Sequence, residues 1–207
     1  IKLVQNILCV FMAWKGIIQM KNLVLPKDYK STLSLRETQI AIKLIKDTFQ
    51  KKLSEALNLD RITAPIIVTS GSGINDDLNG VERKVTFTVK EMNGGECEVV
   101  QSLAKWKRMA LYRYGYEPDS GIYTDMNAIR RDDDMDNLHS IFVDQWDWER
   151  IITREERNTE FLKSVVKKIA SCVARTLEIV KKDFPSVSVN ISDDVTFVTT
   201  QELEDMY

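Results

Sequence analysis

Four short runs hold the side chains that could do chemistry. SIFVDQWDWER, 140–150, places Asp144, Gln145, Asp147 and Glu149 in a segment otherwise rich in Ile, Phe, Val and Trp. SGSGINDDLNG, 70–80, carries Asp76 and Asp77. SLAKWKR presents Ser102, Lys105, Lys107 and Arg108, and NAIRRDDD presents Arg130 and Arg131 ahead of three aspartates. Charged groups are rarely buried unless they are paired or work as a site. Nucleophilic catalysis finds little support, because His139 is the only histidine and would have to serve every Ser–His or Cys–His pair. Cys9, Cys97 and Cys172 are odd in number and widely spaced, with no CxxC. That argues against a zinc site or a disulfide framework and for a reducing cytoplasm.

Each run also has an ordinary explanation. Asp76 and Asp77 suit a turn. The basic residues after Ser102 suit a solvated helix face, and Arg130 and Arg131 a surface ion-pair cluster of little energetic weight. The 140–150 run divides by period two. Phe142, Asp144, Trp146, Trp148 and Arg150 take one face, and Val143, Gln145, Asp147 and Glu149 the other. The second face would ordinarily meet solvent on an antiparallel sheet.

The elements that must position these groups follow from spacing and breakers. Ser34-x-x-Glu37 is a capping box, and Ile42, Ile45, Phe49, Leu53 and Ala56/Leu57 recur behind it, predicting a helix over about 35–58. RITAPIIVT predicts a strand interrupted by Pro65, which cannot donate to a ladder and belongs at an edge or interface. ERKVTFTVK alternates Val85, Phe87 and Val89 against Lys84, Thr86, Thr88 and Lys90, a half-exposed strand. GGECEVVQS predicts a turn and a strand, and LAKWKRMALYRYG a helix. GIYTDMNAIRRDDDMDNLHSIFVDQWDWER predicts two strands joined by an acidic loop at about 131–138. Residues 154–182 predict a long helix striped by Leu162, Val165, Ile169, Val173, Leu177 and Val180, and VTFVTT, 195–200, a short strand. The sum is an α+β domain, an antiparallel sheet flanked by helices.

The chain of 207 residues, 43% hydrophobic and 29% charged, suits one domain with a sizeable core. A net charge of −2 supplies no general basic surface, which argues against a dedicated nucleic-acid binder. Before Met20 the longest apolar run, Ile7 to Trp14, falls short of the about 20 residues a membrane span needs. Residues 1–19 are expected to be an upstream extension foreign to the native protein. Thr199-x-x-Glu202 is a second capping box, announcing a helix that stops within its second turn at Tyr207; truncation is the expectation.

Taken together, LRETQ, APIIV, DLNG, EVVQSLAKWKR, IYTDMNAIRRD, LHSIFVDQWDWER and TTQEL resemble the ammonia-dependent asparagine synthetases, or aspartate–ammonia ligases. These are relatives of the catalytic core of class II aminoacyl-tRNA synthetases. The match runs in the family's order from about 33 to 207, and SLAKWKR with VDQWDWER is its most specific part. The resemblance implies that 20–207 is the N-terminal portion, about two-thirds, of a single ligase catalytic domain. The 35–58 helix and the Pro65 strand resemble the first class II motif, which builds a homodimer interface. The strand–loop–strand around Arg130 resembles the second, which holds ATP. The third motif, with a second ATP-binding arginine, has no counterpart in these residues, nor does the stretch before it. The core is thus expected to be incomplete and the chain inactive alone.

The implied reaction forms β-aspartyl-AMP from aspartate and ATP with Mg²⁺, and ammonia then displaces AMP. Such chemistry rests on positioning and charge neutralisation. The resemblance implies that Arg130 grips the α-phosphate and the β-carboxylate, and that Lys107 holds a substrate carboxylate. Ser102, Gln145 and Asp147 orient the amino acid, with Asp147 on its α-ammonium. Asp76 steers ammonium and takes its proton, and Glu149 binds Mg²⁺. No nucleic-acid or membrane partner is implied. Two rivals stand beside this expectation. A tRNA-charging enzyme would need an anticodon-binding segment, which these residues do not show. The other rival is a non-catalytic remnant acting as a dimerisation or binding module.

Overall fold

A computed structural model describes residues 24, 26–137 and 139–207. The expected upstream extension at 1–19 lies outside them. The elements run α1 (Leu35–Leu57), β1 (Leu59–Arg61), β2 (Ile67–Thr69), β3 (Thr86–Thr88), a 3-10 turn (Lys90–Met92), β4 (Glu96–Val99), α2 (Ala104–Arg113), β5 (Gly121–Ile129), β6 (Phe142–Arg150), α3 (Thr159–Asp183) and α4 (Thr200–Asp205). Both capping boxes form. The Ser34 hydroxyl accepts from the Glu37 N–H at 3.3 Å while the Glu37 carboxylate accepts from the Ser34 N–H at 2.8 Å. Thr199 and Glu202 repeat the pattern at the start of α4. That second cap displaces an expectation. Residues 195–199 form no strand, and Thr199 takes the extended cap conformation of the helix that follows.

The α+β class holds, with a different sheet arrangement. β1, β5 and β6 form one sheet in that order, and β2, β4 and β3 a second. β1 runs parallel to β5, with Leu59 opposite Gly121, where only antiparallel pairs were expected. Pro65 accounts for the division. It falls between β1 and β2, so one expected strand becomes two, each at the edge of a different sheet. The ERKVTFTVK strand shrinks to Thr86–Thr88, an edge strand on which Phe87 is 38% exposed. Lys84 leaves the ladder to pair with Asp77 at 2.7 Å and Glu98 at 3.4 Å. The long C-terminal helix starts at Thr159 because the Asn158 side chain accepts from the Phe161 N–H at 2.8 Å. Its buried line passes through Val165, Cys172, Thr176 and Val180 and leaves Leu162 exposed.

The β5–β6 hairpin divides the molecule. Residues paired across it share a face, so Tyr123 lies with Trp148, and Asp125 with Trp146. That face meets both long helices. Leu53, Leu57, Leu59, Tyr123 and Val165 are buried there, with Phe49, Trp146, Trp148, Phe161 and Ile169 packed around them. Each fully buried side chain of this size contributes about 1.5–3 kcal/mol. Phe49 and Trp146 stack at 4.6 Å between centroids, tilted by 42°. Lys46 of α1 pairs with Asp144 at 2.8 Å and Arg61 of β1 with Asp125 at 2.9 Å, so both acids on this face have a counter-charge. The other face carries Ile122, Thr124, Met126 and Ala128 beside Val143, Gln145, Asp147 and Glu149. Val100, Leu103 and Trp106 cover its apolar end.

Gly121 lets the strands close. A Cβ there would stand 2.4 Å from the Glu149 carbonyl oxygen and 2.8 Å from both the Arg150 Cα and a Leu59 methyl. Gly121→Ala is expected to destabilise the fold by about 1–3 kcal/mol, the range for overpacking a filled interior. Urea denaturation followed by tryptophan fluorescence measures it.

Candidate active site

α2 supplies the cations of the site. The turn before it places Ser102 at its start, where the Ser102 hydroxyl accepts from the Ala104 N–H at 3.3 Å. Helical spacing then puts Lys107, Ala110 and Leu111 on the buried side. Ala110 and Leu111 pack on Ile122 of the hairpin. Lys107 is 0% exposed, and its ammonium meets the Asp147 carboxylate of β6. Two flanking residues reach two further acids. Lys105 lies 3.3 Å from Asp76, and Arg108 lies 3.7 Å from Glu149. Three cations within little more than one helical turn thus face three carboxylates drawn from the 70–80 loop and β6. Lys105 and Arg108 keep the exposure expected of a solvated basic face, and Lys107 alone is withdrawn from it.

The charges are mutually felt. Burial pushes the Glu149 carboxyl above its ordinary value; Arg108 and Lys107 pull it back, and Asp147 and Asp76 push it further up. Asp77 is held low, chiefly by its hydrogen bond from Lys84. Arg130 follows β5 and is half-buried, and its Nε donates to the Gln101 carbonyl at 3.3 Å. Spending Nε in this way leaves the far end of the guanidinium fork for a ligand. Gln145 is exposed on the same face, two residues before Asp147. Ser102 is half-buried and adjoins Gln101. The hairpin face and the elements covering it therefore gather Asp76, Ser102, Lys107, Arg130, Gln145, Asp147 and Glu149 on one side of the sheet. Lys107 and Asp147, expected to hold opposite ends of a substrate, hold each other here.

Sequence inspection missed Asn75, Glu98 and Gln101. Asn75 is 2% exposed and Glu98 4%. Gln101 is fully buried, and both polar atoms of its side chain lack a hydrogen-bond partner within the structure. Asn75 sat in a polar loop where solvent is the usual neighbour, and no local pattern marks its burial. Among the described residues no three acidic, histidine or cysteine side chains group into a cage for a metal ion. A single half-buried carboxylate such as Glu149 still fits Mg²⁺, which keeps waters and takes one or two carboxylates together with substrate phosphates. No helix among the described residues is long and apolar enough to cross a membrane.

A family model described as aspartate-ammonia ligase matches residues 36–207. The aspartate–ammonia ligase of Clostridium tetani (strain Massachusetts / E88) is 56% identical over 187 residues, covering 90% of this chain and 55% of the relative. That of Clostridium perfringens (strain SM101 / Type A) is 54% identical, covering 91% and 56%, and that of Lactiplantibacillus plantarum 50% identical, covering 90% and 58%. The chain spans about half the length of the curated relatives it matches, less than the two-thirds expected. Among solved structures, an ATP phosphoribosyltransferase regulatory subunit/histidyl-tRNA synthetase from Bacillus halodurans C aligns with a TM-score of 0.44 and 13% identity. The alignment covers 74% of this chain and 39% of that one.

The raised Glu149 carboxyl has a thermodynamic signature. The folded state binds its proton more tightly than the unfolded state, so stability falls as pH rises from the ordinary value of 4.5 through the folded one. Glu149→Gln removes that loss. The variant is expected to melt above the unsubstituted protein at pH 7, and the difference should close as pH falls through 4.5. Calorimetry across that range reads it.

Proposed function

The chain belongs to the aspartate–ammonia ligase family, and on that premise we propose that the protein makes asparagine from aspartate, ammonia and ATP through a β-aspartyl-adenylate. The observation that carries this is the matched array on the hairpin face: three acids, three cations of α2 and Arg130, with no nucleophile among them. A carboxylate is a poor electrophile. Its oxygen attacks the α-phosphorus, pyrophosphate leaves, and the acyl carbon gains AMP as a leaving group. Ammonia then adds to that carbon, gives up a proton and expels AMP. Every step moves charge between oxygens and nitrogens, so the protein's task is to position and neutralise.

The Lys107–Asp147 pair suits a zwitterionic substrate. Aspartate brings an ammonium for Asp147 and a carboxylate for Lys107, so binding exchanges one internal ion pair for two to the ligand. Ser102 and Gln145 flank the same surface and orient the amino acid. Arg130 grips the α-phosphate and the β-carboxylate with the part of its fork that Gln101 leaves open. Asp76 steers ammonium and takes its proton. Mg²⁺ bound at Glu149 would neutralise phosphate oxygens as charge develops there.

The proposal extends to assembly. Leu35 and Ile40 of α1 are 70% and 50% exposed, and Ile66 and Ile67 beside Pro65 are 58% and 44% exposed. Apolar groups along both elements suit a homodimer built through the 35–58 helix and the Pro65 strand. In the protein that bears this chain, Ile67→Asp is expected to shift sedimentation from dimer towards monomer.

The activity is tested by supplying aspartate, ATP and either ammonium or glutamine. Asparagine and AMP should appear with ammonium alone; ADP as product, or a requirement for glutamine, would contradict the assignment. Arg130→Lys should lower kcat/KM by about 10²-fold or more, because a point charge cannot replace a planar two-pronged donor. Steady-state kinetics of the variant near those of the unsubstituted protein would reduce Arg130 to a surface residue.

A further inference from the structure

The loop that carries Asp76 is tied down by a buried carboxylate outside the proposed ligand contacts. Glu98 of β4 is 4% exposed. Its carboxylate accepts from the Asn75 side-chain amide at 2.8 Å and from the Gly71 N–H at 3.3 Å, and it lies 3.4 Å from the Lys84 ammonium. Burial works to raise this carboxyl, and the bonds from Asn75, Gly71 and Ser70 with the Lys84 charge outweigh it. All four partners belong to the segment 70–84 that leads into and out of the Asp76 turn.

Asn75 is the centre of the arrangement. Its amide nitrogen donates to Glu98 and also to the Val99 carbonyl at 3.1 Å, and its amide oxygen accepts from the Gln101 N–H at 2.8 Å. Both its hydrogens and its oxygen are thus committed to the β4 end. Gln101 in turn accepts from Arg130 Nε at 3.3 Å and precedes Ser102. The next residue along the loop is Asp76, which reaches α2 through Lys105 at 3.3 Å. A loop bearing a proton acceptor is ordinarily mobile; here the residue beside the acceptor is locked to the strand that leads into Ser102.

We propose that Asn75, clamped by the buried Glu98, is a positioning residue that sets Asp76 for the attack of ammonia. The assignment rests on the ligase function proposed above. It predicts a split between the two half-reactions. Adenylation is read by aspartate-dependent exchange of pyrophosphate into ATP without ammonia; amidation is read by kcat/KM for ammonium.

Asn75→Asp keeps an oxygen for the Gln101 N–H, loses the donors and sets like charges against each other. In the protein that bears this chain it should lose about 10²-fold in kcat/KM for ammonium, the cost of a misplaced catalytic group, while exchange is retained. The double variant Asn75→Asp/Glu98→Gln reverses donor and acceptor and should recover most of that loss. An equal fall in both half-reactions, a fall in neither, or no recovery in the double variant would overturn the assignment. Should Asn75→Asp fail to fold, the double variant carries the test, and its failure to fold would mark the pair as purely structural. If the unsubstituted protein shows neither exchange nor ammonium-dependent AMP, the ligase function itself falls. Activity in the unsubstituted protein with unsplit variants would remove only the positioning role.

Discussion

A lysine with no exposed surface cannot be left without a counter-charge, and Lys107 finds its own on β6. The contact fixes how α2 lies on the hairpin, and with it the reach of Lys105 and Arg108. Removing one partner of a buried pair commonly costs on the order of 3–5 kcal/mol, because the other charge is stranded. Replacing both with apolar groups can be neutral or stabilising. The pair is therefore weak support for stability and better understood as a specification of geometry. A helix held only by Ala110 and Leu111 could slide or roll on Ile122; an ammonium with one acceptor cannot.

The two faces of the hairpin solve opposite problems with one strand. On the helix side Trp146 and Trp148 are anchored in an aromatic and aliphatic core, and the acids Asp144 and Asp125 are paired with Lys46 and Arg61. On the far side, stiffness supplied by that core holds Asp147 and Glu149 at fixed spacing beneath α2. Rigidity on one face lets the other present charge with little reorganisation. The Arg83–Asp132 clamp, 2.5 Å at its shortest, extends the same logic past Arg130 by tying the approach to β3 to the acidic loop.

Period-two alternation in 140–150 makes this division legible in the sequence, because each side chain's face depends only on its place along the strand. The capping boxes were legible for the same reason: their donors and acceptors lie three residues apart. The strand around Pro65 was expected at an edge or interface; Pro65 itself lies between two strands, each at a sheet edge, and that division depends on partners some 60 and 30 positions away. Phe87 sits opposite the buried Cys97 yet stays 38% exposed, because β3 is a three-residue edge strand with every residue exposed. Asn75 and Glu98 were invisible because polar burial is decided by who arrives from elsewhere in the chain. The 195–200 run had strand composition, yet a local cap won.

The cations at 105, 107 and 108 share one helix, and this sets which insertions the chain tolerates. Adding one residue between Leu103 and Lys105 would turn all three by about 100° relative to whatever anchors the start of α2. Every acid would lose its partner at once. The same insertion between Asp133 and Asp136 would lengthen a partly exposed connection beyond the Arg83–Asp132 clamp and leave the pairs of the array in place. Length variation in descendants of this sequence should accordingly collect in the second place and be absent from the first.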